Sequence, residues 1–193
     1  MMQTEQYIET YFSDLKKVID ALPRATIAQV YQKLDECQRS GKTLFVFGNG
    51  GSGATASHIV CDMGKNTRGS AKPRLRVVGL NDNMAIFSAY ANDEGYDRVF
   101  AEQIISLGDP GDLVLAISGS GNSPNVLEGI RAAKEKGMFT IGLTGYSGGK
   151  MKDLVDLPLV VPVNDMEQIE DVHMILDHLI TGLLRGGRYE IAH

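Results

Sequence analysis

The chain has two cysteines, Cys37 and Cys61, in 193 residues and no CxxC pair. That spacing excludes a disulfide scaffold and a zinc-knuckle architecture, and it predicts two ordinary buried thiols in a reducing cytoplasm. No apolar run reaches the length needed to cross a bilayer. The N-terminal Met1-Met2-Gln3-Thr4-Glu5-Gln6 carries neither the basic nor the apolar region of a secretory leader. Excess positive charge is missing too: the formal net charge is -5, which argues against nucleic acid as the main ligand. Internal repeats, long linkers and low-complexity tracts are absent. Apolar content of 43% and charged content of 22% suit a folded domain with a sizeable core.

What the chain has is short apolar runs alternating with helical patterns. The runs lie at 43–47, 74–80, 112–117, 138–143 and 158–163. Helical spacing falls near 52–64, 83–91, 97–107, 123–136, 149–154 and 167–185. Continuous apolar strands separated by helices predict an α/β fold with a parallel sheet covered on both faces. Two helices precede the first strand. Tyr7, Ile8, Tyr11, Phe12, Leu15, Val18, Ile19 and Leu22 stripe the first, which ends near Pro23. Ile27, Val30, Leu34 and Cys37 stripe the second, with Gly41 as its stop. The organisation expected is one domain over 1–193: a helical extension over 1–41 and an α/β core over 42–193.

Two glycine- and serine-rich turns follow strands and open helices. They are Gly48-Asn49-Gly50-Gly51-Ser52-Gly53 and Ser118-Gly119-Ser120-Gly121-Asn122-Ser123. Such turns present unpaired N–H groups at the positive end of a helix dipole, which suits an anion. The first matches G-x-G-x-x-G by letter, but 66–79 holds no Asp or Glu to take a ribose, and neither turn is followed by a Walker lysine. Two phosphate-suited turns without nucleotide signatures point to a small phosphorylated molecule. Lys65 and Arg68, just past the first helix, are candidate counter-charges.

Ionisable residues gather on two helices. His58 and Asp62 are four apart on the helix that the first turn opens; charge pairing alone is a common origin of that spacing. Glu170 and His178 lie eight apart on the last helix, with His173 between them. A histidine and a carboxylate on each of two helices suit either a zinc-type ion or proton transfer.

Taken together, these segments resemble the sugar isomerase (SIS) domain family, and within it the sedoheptulose-7-phosphate (phosphoheptose) isomerases. The segments are the first glycine turn, Ala91-Asn92-Asp93-Glu94-Gly95-Tyr96, Gly111 through Ser123, Glu135-Lys136-Gly137-Met138, Leu143-Thr144-Gly145 with Gly148-Gly149, and the histidine-bearing last helix. The resemblance implies a three-layer α-β-α sandwich on a five-stranded parallel sheet. It implies a homotetramer with active sites between subunits, its N-terminal helices used in assembly. Asn49, Gly50, Gly51, Ser52, Asp93, Ser118, Gly119, Ser120, Ser123 and Glu170 would bind substrate. Zinc would fall to His58, Asp62, Glu170 and His178, and catalysis to Asp62 and His178.

The implied activity is conversion of sedoheptulose 7-phosphate to D-glycero-D-manno-heptose 7-phosphate for surface-glycan heptose, through an enediol, with or without the metal. The pocket departs from the family pattern in four places: Asp62 for Glu, Glu170 for Gln, Gly119 for Thr, and Asn66 for Arg. Those changes keep other readings open. The chain could isomerise another phosphosugar, act as a phosphosugar sensor, or serve as a non-catalytic tetramer that binds phosphosugar or a replication initiator. Partners expected are a phosphorylated sugar and copies of the chain, with no nucleic acid or membrane.

Overall fold

Five strands form one parallel sheet in the order β2-β1-β3-β4-β5. They are β1 (Thr43–Gly48), β2 (Arg76–Gly79), β3 (Leu113–Ser118), β4 (Phe139–Thr144) and β5 (Leu157–Val160). The computed structural model describes residues 3–68 and 72–187; His193 lies outside them. Every residue of β1 and β3 is buried, as expected of strands covered on both faces. Register runs Leu44 to Leu113 and Leu113 to Phe139.

Successive strand side chains alternate between two cores. On one face, Leu44, Val46, Leu115 and Ile117 meet α2 (Arg24–Ser40), α3 (Gly50–Asn66) and α8 (Met166–Leu184), with Val18 and Leu22 from the region of α1 (Thr4–Ala21). On the other, Phe45, Phe47, Val114 and Ala116 meet α5 (Ala101–Leu107), α6 (Pro124–Glu135) and α7 (Met151–Leu154), with Phe87 and Tyr90 of α4 (Met84–Asp93) packed at the margin. Phe47 stacks on Phe100 with ring centroids 4.8 Å apart. Gly129 lets α6 press onto that pair, since a Cβ there would stand 2.9 Å from Phe47 Cζ. The result is the expected three-layer arrangement of helices on both faces of a parallel sheet.

Local chemistry explains the ends. Leu22 is extended, as the residue before Pro23 must be, so α1 stops there. Gly41 closes α2 in the left-handed conformation, its N–H reaching back to Cys37 and Gln38 carbonyls. The helix expected over 97–107 is interrupted: a 3-10 turn at Tyr96–Arg98 precedes α5, and the chain dives inward at the fully buried Val99 and Phe100. The last strand ends earlier than 163. Val161 N–H still donates to the Thr144 carbonyl, but Pro162 has no N–H to continue the ladder. Cys37 is buried as expected, whereas Cys61 is exposed; it sits on a face of α3 that the chain's own core does not cover.

Candidate active site

The strand order places the sheet's reversal between β1 and β3, and in open α/β sheets the crevice at that point holds the ligand. Both glycine turns emerge there side by side. They line a cleft of about 290 Å³, with Asn49, Gly50, Gly51 and Ser52 on one wall and Ser118, Gly119, Ser120 and Ser123 on the other. Met166 and Glu170 of α8 close it.

Both helices that start here have N-caps that do not cap. Asn49 precedes α3, yet its side chain makes no bond to the helix. Instead Asn49 and Asn125 exchange amide bonds of 2.8 Å each way, and Tyr96 Oη donates to Asn49 Oδ1 at 3.1 Å. Ser123 precedes α6 and likewise makes no cap bond; its hydroxyl faces that of Ser118 at 3.2 Å. The first-turn N–H groups of α3, at Gly50, Gly51 and Ser52, thus stand open at the cleft with the helix dipole behind them, an arrangement that attracts an anion; α6 opens on Pro124, which has no N–H, and its Val126 N–H donates to Asn125 Oδ1 at 3.0 Å. Asn81 holds the first turn from below, accepting from Gly48 N–H and donating to Gly48 O at 2.9 Å.

Two glycines make room for side chains from α8. A Cβ on Gly51 would collide with the Glu170 carboxylate, and one on Gly119 would stand 2.5 Å from Met166 Sδ. Gly119 therefore goes with the methionine that fills the space a larger residue would take.

Beyond the cleft, α3 and α8 run side by side in one direction. About 10 Å along α3 from Gly51, His58 Nε2 meets His178 Nε2 at 3.2 Å. Asp62 Oδ2 lies 3.6 Å from His58 Nε2 and 3.9 Å from His178 Nε2. Asp177 brings its Oδ2 to 3.9 Å from His58 Nε2. The donor atoms of His58, Asp62, Asp177 and His178 all lie within 4.8 Å of one another, and this group can hold a metal ion. Burial, and then the Asp62 charge, push the Asp177 carboxyl up to about 6.

Three of the four residues expected at a metal therefore come together, while Glu170 stands apart at Gly51, facing the anion cleft. Asp177 had no signal in the sequence beyond adjacency to His178, since it lies on the buried side of the helix. Asn81 and Asn125 were equally hidden, because an asparagine that clamps backbone looks like any turn residue. His173 is buried, with Nε2 3.4 Å from the Thr144 carbonyl, and takes no part in the cluster. Asp93 is exposed at the end of α4, its Oδ1 accepting from Asn92 at 2.6 Å, outside the cleft lining. Lys65 and Arg68 lie at the far end of α3, about 20 Å from its first turn. Within one chain they cannot neutralise a phosphate bound there.

Comparison with known proteins agrees with this geometry. Residues 6–145 match the SIS domain model. The phosphoheptose isomerase of Trichlorobacter lovleyi is 36% identical over 167 residues, covering 86% of this chain and 85% of that protein. Phosphoheptose isomerase 1 of Campylobacter jejuni is 35% identical over 179 residues, covering 92% and 96%. The solved phosphoheptose isomerase of Neisseria gonorrhoeae superposes with a TM-score of 0.87 at 29% identity, covering 94% of this chain and 98% of that one. Two glycine turns at the sheet's reversal and a match across most of the chain lead to one conclusion: this protein belongs to the SIS domain family.

Proposed function

We propose that the chain is an aldose–ketose isomerase that converts sedoheptulose 7-phosphate to D-glycero-D-manno-heptose 7-phosphate for surface-glycan heptose. The carrying observation is the pairing of an open anion cleft with a His/Asp cluster about two helical turns along one groove. That separation suits an extended seven-carbon sugar phosphate, with its phosphate at the cleft and C1 and C2 at the cluster. The names of the phosphoheptose isomerases to which the chain is similar support the same substrate.

The phosphate accepts from first-turn N–H groups of α3 and from the hydroxyls of Ser52, Ser118, Ser120 and Ser123. Asp62 takes a proton from C1 of the ketose and returns it to C2 of the enediol. His178 gives a proton to O2 and takes one from O1, so the sugar leaves isomerised and the side chains end as they began. Zinc is the metal of this reading: His58, Asp62 and His178 would be among its ligands and it would polarise the carbonyl, while the proton transfers given to Asp62 and His178 belong to the metal-free form of the site. Glu170 contacts the sugar hydroxyls.

The active form is a homotetramer in the cytoplasm. Tyr7, Ile8 and Phe12 are exposed on α1, an apolar face that a second copy would cover. The two unpaired cysteines accord with a reducing compartment, and no described helix is long and apolar enough to cross a membrane. The test is to incubate zinc-loaded protein with sedoheptulose 7-phosphate and follow the aldose by NMR. Appearance of the aldose supports the reading. Failure across a panel of ketose phosphates overturns it.

A further inference from the structure

We propose that Asn122 is a positioning residue of the anion cleft: its side-chain amide braces the second glycine turn against a third turn, over 144–150, and so aims Ser120 at a bound phosphate. The phosphate is the one that the proposed reaction places in the cleft, and the role given to Asn122 rests on that reading.

The third turn, Thr144-Gly145-Tyr146-Ser147-Gly148-Gly149-Lys150, joins β4 to α7. The cleft lining includes none of its residues. Its donors go to the second turn instead. Gly145 N–H donates to Gly119 O at 2.9 Å, and Thr144 Oγ1 donates to the same carbonyl at 3.3 Å. Met151 N–H, at the start of α7, donates to Gly121 O at 2.9 Å. Gly121 and Gly149 both have positive φ, and a Cβ on either would collide with a carbonyl oxygen of the opposite turn.

Asn122 completes the joint. Its Oδ1 accepts from Lys150 N–H at 3.1 Å, and its Nδ2 donates to Ser120 O at 2.9 Å. One partner is a donor and the other an acceptor, which fixes how the amide faces. One exposed side chain therefore ties the two turns together.

These bonds set what the cleft presents to a ligand. A trans peptide points its C=O and N–H in opposite directions. The Gly119 carbonyl faces the turn after β4, so the Ser120 N–H of the same peptide faces the other way, toward β1 and the first glycine turn. Asn122 N–H donates to the Ser120 hydroxyl at 3.2 Å, which leaves the hydroxyl proton free to donate onward. Ser120 lines the cleft and can give a phosphate both an N–H and an O–H. Holding those donors in place before the ligand arrives strengthens binding, because binding need not then order them.

The experiment compares the full chain with Asn122→Ala and Gly149→Ala. Inorganic phosphate is titrated by phosphorus NMR, the Ser120 amide is followed by proton–nitrogen correlation, and turnover of sedoheptulose 7-phosphate is measured. Asn122→Ala should weaken phosphate about tenfold, the scale of one or two hydrogen bonds, and shrink the shift that phosphate induces in the Ser120 amide. KM should rise by the same factor while kcat holds, since C1 and C2 react at the His/Asp cluster. Because Asn122 is exposed, the variant should melt near the original chain; a merely structural role would lower the melting temperature without separating KM from kcat. Gly149→Ala keeps Asn122 but forces the turns apart, and should weaken phosphate in the same way.

Unchanged phosphate affinity in Asn122→Ala would overturn the inference, as would a Ser120 amide that does not respond to phosphate in the original chain. A fall in kcat with KM unchanged would overturn it too. If the original chain binds phosphate and Asn122→Ala binds it weakly, but no ketose phosphate is isomerised, the role of Asn122 stands and the isomerase reading falls. If the original chain binds no phosphate, both fall.

Discussion

Gly51 and Glu170 form the contact through which the last helix reaches the anion cleft. The absence of a Cβ at Gly51 is what lets the Glu170 carboxylate lie against the first turn of α3. Gly51→Ala should push that carboxylate into the cleft and raise the KM for the phosphosugar about tenfold or more, the scale of one lost hydrogen bond to a charged group. An unchanged KM would show that the carboxylate moves aside freely. His173 offers a test by pH. Burial holds its imidazole down to about 4, from an ordinary value of 6.5. The folded chain therefore binds fewer protons there than the unfolded chain. The resulting stability is fully present above pH 6.5 and is lost as pH falls from 6.5 towards 4. It amounts to about 3 kcal/mol at most. His173→Gln should flatten that part of the stability curve, measured by denaturant unfolding across the window. Asp177 acts in the opposite sense below its raised value, so the comparison is between the variant and the original chain.

At the scale of elements, the open N-terminus of α3 carries the binding claim, and the Asn49–Asn125 pair keeps it open. Asn125→Ala should free Asn49 to cap its own helix. Phosphate affinity should then fall although no cleft-lining residue has been removed, and stability should drop by about 1–3 kcal/mol for the buried amide left unpaired. A phosphorus NMR titration and a denaturation curve measure the two effects. The strands were legible in the sequence because β1 and β3 are buried on both faces and read as unbroken apolar runs. Both glycine turns were legible because glycine and serine between a strand and a helix have few other uses. Side-chain partnerships across the groove were not. Glu170 and His178 share a helix and looked like one site, yet eight residues of helix separate their functional atoms. Asp177 adjoins His178 in sequence but points from the buried side, which periodicity marks as core. The exposure of Cys61 was not legible, because the number and spacing of cysteines do not say which face of a helix each one takes.

For the whole molecule, the proposed assembly rests on the apolar face of α1. Tyr7, Ile8, Tyr11 and Phe12 border a depression with no polar lining, and Tyr11 Oη donates to Asp171 at 2.5 Å, fixing α1 over α8. If the proposed tetramer forms through this face, Phe12→Asp should split it into smaller species by sedimentation while leaving the circular dichroism of the chain intact; an unaltered tetramer would place the interface elsewhere. The family is established across most of the chain, so the central claim left to test is that this groove isomerises a sugar phosphate with Asp62 and His178. The most direct measurement is conversion of sedoheptulose 7-phosphate followed by NMR for the original chain, Asp62→Asn and His178→Gln, each confirmed folded. The account requires aldose product from the original chain and a loss of about a hundredfold or more in each variant, the range for removing an acid–base group. Full turnover in either variant would contradict the role given to that residue, and no turnover in the original chain would contradict the account as a whole.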